Sequence, residues 1–210
     1  MTDGVGVRGV VLAGGDSERF GDENKALADL DGRPLLAHVL EAISLATDGP
    51  PMLAVASAED GERLILALGL DADRVTVVTD DPSLDGPLAG LLGGARRSES
   101  PWLLVCGCDM PLVSAEALDV LIARADDGVD AVVPVVDGHD QPMLALYDRE
   151  RVLELAPDLR GQGPRGLLDL LDSVERVDAT RVDAALANAV TNVNTQAELE
   201  AVRKRTGDCG

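Results

Sequence analysis

The chain has 210 residues, of which 38 are Asp or Glu and 18 are Lys or Arg, for a formal net charge of −20; 46% are apolar. That length and apolar content are enough to build a core in a single domain spanning 1–210. So large a negative excess lacks the basic footprint that nucleic acid demands and is repelled by an anionic membrane surface, so neither is expected as a partner.

The negative charge is dispersed along the chain, Asp outnumbers Glu by 26 to 12, and Lys25 and Lys204 are the two lysines among the basic residues. Such a surface suits the salty cytoplasm of a halophilic archaeon, where molar salt shortens the Debye length to ~3 Å and screens self-repulsion. An ordinary acidic enzyme is the plainer alternative. Cys106, Cys108 and Cys209 form no framework spacing, which argues against a disulfide scaffold and for a reducing, cytoplasmic setting. No apolar run approaches a membrane span, and Met1-Thr2-Asp3-Gly4 has no secretory-signal character.

In chain order, short β-branched runs alternate with amphipathic stretches. The pattern predicts a strand at Val7 to Ala13, a helix from Pro34 through Ala46, a strand at Met52 to Ala56 and a helix from Glu59 to Leu68. A strand at Val75 to Val78, a helix from Pro87 to Arg97 and a strand at Trp102 to Cys106 follow. Ser114 then caps a helix reaching Ala125. Strict repetition ends there: Ala131 to Val136 and Met143 to Tyr147 are separated by Asp137-Gly138-His139-Asp140, which favours a hairpin or a longer excursion. Helices at Arg149 to Leu155 and Gly166 to Leu171, a strand at Val174 to Val177 and a helix from Ala197 to Arg205 complete the chain. The expected class is α/β, three layers, with a mostly parallel sheet and helices on both faces.

The chemistry concentrates after the first strand, in Leu12-Ala13-Gly14-Gly15 and onward through Arg19 to Lys25. A glycine pair at a strand's carboxyl end lets backbone N–H groups approach a ligand, and Arg19 and Lys25 bring positive charge to the same loop. That is phosphate-binding logic without the Walker A spacing. Two other G-x-G-x-x-G matches, at Gly4 to Gly9 and Gly161 to Gly166, lack the strand-then-helix context of a dinucleotide site. Gly86 and Pro87 open a helix whose free N–H groups favour an anion or a carbonyl-bearing ring. Asp109, at the tip of a buried strand, is the candidate Mg²⁺ ligand. Cys106 and Cys108 supply only a C-x-C pair, so zinc is disfavoured and core thiols are expected. His38, on an apolar helix, reads as structural, and His139 sits in a loop without a nucleophile to serve. Asn192 and Asn194 carry strand spacing just before the last helix, which either of Asn194 and Thr195 could also cap.

Together these segments resemble the molybdenum cofactor guanylyltransferase family: Leu12-Ala13-Gly14-Gly15 with Arg19, Gly21 and Lys25; Asp85 to Gly90; Cys108-Asp109-Met110-Pro111; Gln141 to Tyr147; Pro164-Arg165-Gly166-Leu167-Leu168; and Asn192-Val193-Asn194-Thr195. The resemblance implies a Rossmann-like nucleotide-diphospho-sugar-transferase fold. Its first part, 1–110, would hold GTP and Mg²⁺ and its second, 111–210, the acceptor. It implies GTP contacts from Leu12, Ala13, Gly14, Gly15, Lys25, Asp80, Gly86, Pro87 and Gly90, and Mg²⁺ on Asp109. Arg19, Lys25 and Asp109 would be catalytic, and Gln141, Pro142, Arg165, Asn192 and Asn194 would face the pterin. The implied reaction moves GMP from GTP to the phosphate of molybdenum-bound molybdopterin, with molybdoenzyme maturation proteins as further partners.

The chain departs from the commonest family pattern at Phe20, in the spacing of Asp22 from Lys25, and at Gln196. These departures leave room for a cytidylyltransferase acting on molybdopterin, or for a guanylyltransferase acting on cobinamide phosphate or phospholactate. A non-catalytic protein that binds GTP and molybdopterin is the alternative of a different class; it could dispense with Lys25 or Asp109, and this chain keeps both.

Overall fold

The computed structural model describes residues 5–14, 24–71 and 73–207. In chain order the elements are β1 (Val7–Leu12), a 3-10 turn (Lys25–Leu27), the short hairpin of β2 (Asp29–Leu30) and β3 (Arg33–Pro34), α1 (Leu35–Ala46), β4 (Met52–Val55), α2 (Ala58–Leu68), β5 (Thr76–Thr79), α3 (Pro87–Arg97), β6 (Trp102–Gly107) and α4 (Ala115–Ile122). Then come β7 (Ala131–Val136), β8 (His139–Asp140), β9 (Leu144–Asp148), α5 (Arg149–Leu155), a 3-10 turn (Ala156–Leu159), α6 (Pro164–Leu170), β10 (Val174–Asp178), α7 (Ala179–Val182), α8 (Ala184–Ala189) and α9 (Gln196–Gly207).

The strands order as β10-β7-β9-β6-β1-β4-β5, with β8 paired to β7. β1 lies between β6 and β4 and runs parallel to both. Buried on two faces, a central parallel strand must be apolar along its length, and every residue of β1 and β6 is buried except Arg8. β9 runs antiparallel to both β6 and β7, which breaks the parallel order where strict alternation stops in the sequence. The β7–β8 hairpin turns at Asp137 (φ 51°) and Gly138 (φ 76°), the paired positive angles that a two-residue turn of the favoured hand requires.

Helices cover both faces. On one, Leu36 and Val39 of α1, Leu64 of α2, Leu118 of α4 and Leu186 of α8 pack on the sheet through Leu53 and Leu104. On the other, Leu88 and Leu92 of α3, Val152 of α5 and Leu167 of α6 pack on Val10 and Leu103. A fully buried leucine of this kind contributes about 1.5–3 kcal/mol. A third, smaller cluster joins Leu199 and Val202 of α9 to Ala28, Leu30 and Leu35 around the β2–β3 hairpin.

Local signals explain the boundaries. Ser57 Oγ caps α2 through the Asp60 N–H, and Gly69 (φ 63°) closes it. α3 begins as expected, with Pro87 at its first turn after Gly86 in a left-handed backbone (φ 64°). It also lies unusually close to the sheet: a Cβ on Gly90 would meet Leu12 Cδ2 at 2.8 Å, and one on Gly93 would collide with the Thr79 carbonyl. α4 stops at Ile122, short of Ala125, because Arg124 and Ala125 donate to Leu121 and Ile122, tightening the last turn to i−3 bonds. α7 and α8 have no counterpart among the predicted elements; they are four and six residues long, too short to show a helical period. Asn192-Val193-Asn194 is a loop leading into α9.

Candidate active site

Parallel strands β1, β4, β5 and β6 all end at one edge of the sheet, the position where open α/β sheets bind ligands. A cleft of about 610 Å³ opens there, lined by Ala13 and Gly14 after β1, Asn24 and Leu27, Ala56 after β4, Asp60, Arg63 and Leu64 of α2, Asp80 after β5, and Gly86. A nucleotide fits a space of this size. A narrower recess of about 200 Å³ adjoins it, sharing Ala13, Gly14 and Asn24 and adding Lys25, Pro87, Cys108, Asp109 and Met143.

The recess is built around an ion pair. Asn24 Oδ1 accepts the Ala26 N–H at 3.0 Å and so caps the turn that carries Lys25. Lys25 Nζ then donates to Asp109 Oδ2 at 2.6 Å and to Asn194 Oδ1 at 2.5 Å. The Lys25 and Asp109 side chains are 17% and 21% exposed, within reach of a ligand but not dispersed in solvent. Three hydrogen bonds fix the backbone beneath: Cys108 N–H to the Leu12 carbonyl at 3.0 Å, Gly107 N–H to Met143 at 3.0 Å, and Val193 N–H to the Asp109 carbonyl at 2.8 Å. A Cβ on Gly107 would stand 2.6 Å from Asp109 Oδ1, so the glycine leaves that carboxylate its place. Burial pushes the Cys108 thiol up to about 12, the Asp109 carboxylate adding to the effect, and burial likewise raises the Cys106 thiol well above its ordinary value. Both are free thiols: Cys106 is a core cysteine as expected, whereas Cys108 is half-buried and lines the recess.

Asp80 sits under the wide end of the cleft. Its Oδ2 would be 2.6 Å from a Cβ on Gly14, so the glycine leaves the carboxylate room. Burial raises the Asp80 carboxyl above its ordinary value. Its neighbour Asp81 faces the other way, where it accepts Ser83 N–H at 3.0 Å and pairs with Ser83 Oγ and Arg96. Burial would raise Asp81 as well, but those donors outweigh it and hold the carboxyl below the usual range.

Of the residues expected from the sequence, Ala13, Gly14, Lys25, Asp80, Gly86, Pro87 and Asp109 converge on the two spaces. Leu12 is buried at the recess wall. Gly90 lies one layer below, against Leu12, Ala54 and Asp80, and does not line the cleft. Gly15 and Arg19 lie outside the described residues. The acceptor-side group is spread out: Pro142 accepts from the Tyr147 hydroxyl at 2.8 Å, Gln141 Nε2 donates to the His139 carbonyl, and Arg165 is exposed at the start of α6. Asn194 reaches Lys25, while Asn192 is half-buried one turn of loop away. Thr195 rather than Asn194 caps α9, its Oγ1 accepting the Glu198 N–H at 3.2 Å. Asn24, Asp60, Arg63 and Met143 also line the spaces and were not expected; Asp60 and Arg63 follow a predicted strand on a predicted helix's first turns, a position that could have marked them.

Fold and site thus define an α/β protein with a nucleotide-sized cleft at the carboxyl edge of a mostly parallel sheet and a lysine–carboxylate pair in its floor. Residues 9–179 match the MobA-like NTP transferase domain, and the chain belongs to that family of nucleotidyltransferases. It is 34% identical over 200 residues, covering 93% of this chain and 95% of its relative, to a Bacillus cereus (strain ATCC 10987 / NRS 248) protein described as a "probable molybdenum cofactor guanylyltransferase". The structure of molybdopterin-guanine dinucleotide biosynthesis protein A from Archaeoglobus fulgidus superposes with a TM-score of 0.78 at 25% identity, over 96% of this chain and 99% of that one. A nucleotidyl transferase from Methanothermobacter shares the fold, with a TM-score of 0.76 at 19% identity over 97% and 99% of the two chains.

Proposed function

We propose that this protein transfers GMP from GTP to the terminal phosphate of molybdenum-bound molybdopterin, releasing pyrophosphate and forming the guanine dinucleotide cofactor. The observation that carries this reading is the Lys25–Asp109–Asn194 cluster in the cleft floor of a chain from this family. The names of its relatives favour guanine and a pterin acceptor.

A phosphate monoester is nucleophilic enough at neutral pH to need no activating base, so catalysis reduces to in-line positioning and charge neutralisation. Lys25 supplies a compact positive charge for the departing pyrophosphate, and Arg19 is assigned the same task. The family implies Mg²⁺, and the donors fit it: Asp109 offers a partly exposed carboxylate, a hard ligand that Lys25 engages through Oδ2, while Cys108 remains protonated. Asp109 would hold the ion, which supplies Lewis-acid neutralisation of the nucleotide phosphates when bound. Leu12, Ala13 and Gly14 are assigned the phosphate edge of the cleft, Gly15 is assigned with them from the family motif, and Gly86 and Pro87 flank it at the start of α3. Asp80, which lines the wide end, is assigned the N–H groups of a guanine edge. Within one domain, residues 1–110 serve the nucleotide and residues 111–210, including Gln141, Pro142, Arg165, Asn192 and Asn194, the acceptor.

The test is pyrophosphate release from GTP, CTP and ATP with molybdopterin, cobinamide phosphate or phospholactate, Mg²⁺ present, in molar KCl. GTP with molybdopterin should be turned over at least tenfold faster than any other pair, about 1.4 kcal/mol of discrimination. Tight GTP binding with no release from any pair would identify a binding protein instead.

A further inference from the structure

Asn194 and α9 lie beyond residue 179, where the match to the family domain ends, yet they complete the cluster at Lys25. The segment is secured from three directions. Leu199 and Val202 are buried against Leu30 and Leu35. Arg203 donates to the Asp29 carbonyl and Thr206 Oγ1 to Asp31 Oδ2, so α9 is clamped on the β2–β3 hairpin that follows the Lys25 turn. Val193 N–H holds the Asp109 carbonyl.

Within that clamp one contact determines where Asn194 sits. Glu198 Oε2 accepts the Asn194 backbone N–H at 2.7 Å, while the Glu198 N–H is taken by Thr195 Oγ1 at 3.2 Å. The second bond caps the helix at Thr195; the first reaches one residue further back, to the residue that touches Lys25. The Asn194 N–H is also the largest influence holding the Glu198 carboxyl below its ordinary value. We propose that Glu198 is a positioning residue: by fixing the Asn194 backbone it fixes Asn194 Oδ1, which with Asp109 Oδ2 pins the Lys25 ammonium at the place of transfer. The role assigned to Lys25 in this proposal rests on the guanylyl-transfer reading; the geometry it predicts does not.

The sequence makes the test direct, because Lys25 and Lys204 are its two lysines. Lysine labelled with ¹⁵N at Nζ, in a Lys204→Arg background, reports Lys25 alone. Glu198→Ala should speed hydrogen exchange at Nζ and lower kcat, each about tenfold, with KM for GTP within about twofold, as expected for loss of one hydrogen bond's ordering. Glu198→Gln keeps an acceptor oxygen and should stay within about threefold of the parent in both readouts. Thr195→Ala removes the cap and keeps the Glu198–Asn194 bond; it should lower the melting temperature and leave the Lys25 signal unmoved. Equal disturbance of Lys25 by Thr195→Ala and Glu198→Ala, or by neither, would overturn the proposal. A Lys25 signal that responds to Glu198→Ala alone, in a protein that turns over no GTP, would sustain the positioning and remove the guanylyl-transfer reading.

Discussion

Asp109 and Asp80 stand at the ends of β6 and β5, on opposite sides of β1, and the fold prepares them in opposite ways. Asp109 is neutralised before any ligand arrives, by a lysine at 2.6 Å. Asp80 is half-buried, its carboxyl raised by that burial, and the cleft in front of it, about 610 Å³, is roomier than the recess at Asp109. In the proposed reaction the ammonium beside Asp109 meets the phosphates, and the carboxylate that burial leaves short of solvation meets hydrogen-bond donors. Environment, rather than residue type, separates the two tasks.

That contrast can be broken by substitution. The largest effect is expected from Asp109→Asn, which should lower kcat about a thousandfold, the scale of removing one preorganised electrostatic contact, in steady-state assays at saturating GTP. Asp80→Asn should leave kcat within a few fold but raise KM for GTP by about tenfold to a hundredfold, the scale of one mispaired hydrogen-bonding group. The same variant should be slightly more stable without nucleotide at neutral pH, by less than about 1 kcal/mol. The sign follows from the raised carboxyl: the unfolded chain gives up its proton at lower pH than the folded one, so the folded state is penalised once pH passes the ordinary Asp range.

Beneath Asp80, Gly90→Ala should cost about 1–3 kcal/mol by thermal denaturation, since its Cβ would press on Leu12 at 2.8 Å and approach Asp80 Oδ1 at 3.2 Å. Asp81 next door carries the opposite sign. Its carboxyl is lowered, so its contribution is fully present above the ordinary Asp value near pH 4 and is lost as pH falls through the depressed one. Asp81→Asn should therefore destabilise the protein by about 1–3 kcal/mol at pH 7 and by progressively less in acid.

Much of this arrangement was legible from local sequence. α3 spans Pro87–Arg97 as expected because a glycine free to adopt positive φ followed by proline marks a helix entry unambiguously. The strand ends carrying Gly14 and Asp109 could be located because central parallel strands are continuously apolar and stop where polar residues begin. What local sequence could not supply was pairing at a distance. Lys25 meets Asp109 across 84 residues and Asn194 across 169, and spacing arguments do not reach so far. Spacing put Asn192 and Asn194 on one side; they flank Val193, which is buried against α9 and the β2–β3 hairpin, and it is Asn194 that reaches Lys25. Asn24 and Arg63 look like ordinary polar residues until the fold turns them toward the cleft.

The division of labour between the two ends is tested most directly by Lys25→Ala, with kcat for pyrophosphate release and GTP affinity by equilibrium binding measured on one preparation in molar KCl. The account predicts a fall in kcat of about a hundredfold or more with GTP affinity changed by no more than about threefold, because the ammonium acts on charge that grows as pyrophosphate departs. Unchanged turnover, or a loss carried wholly by GTP affinity, would contradict it.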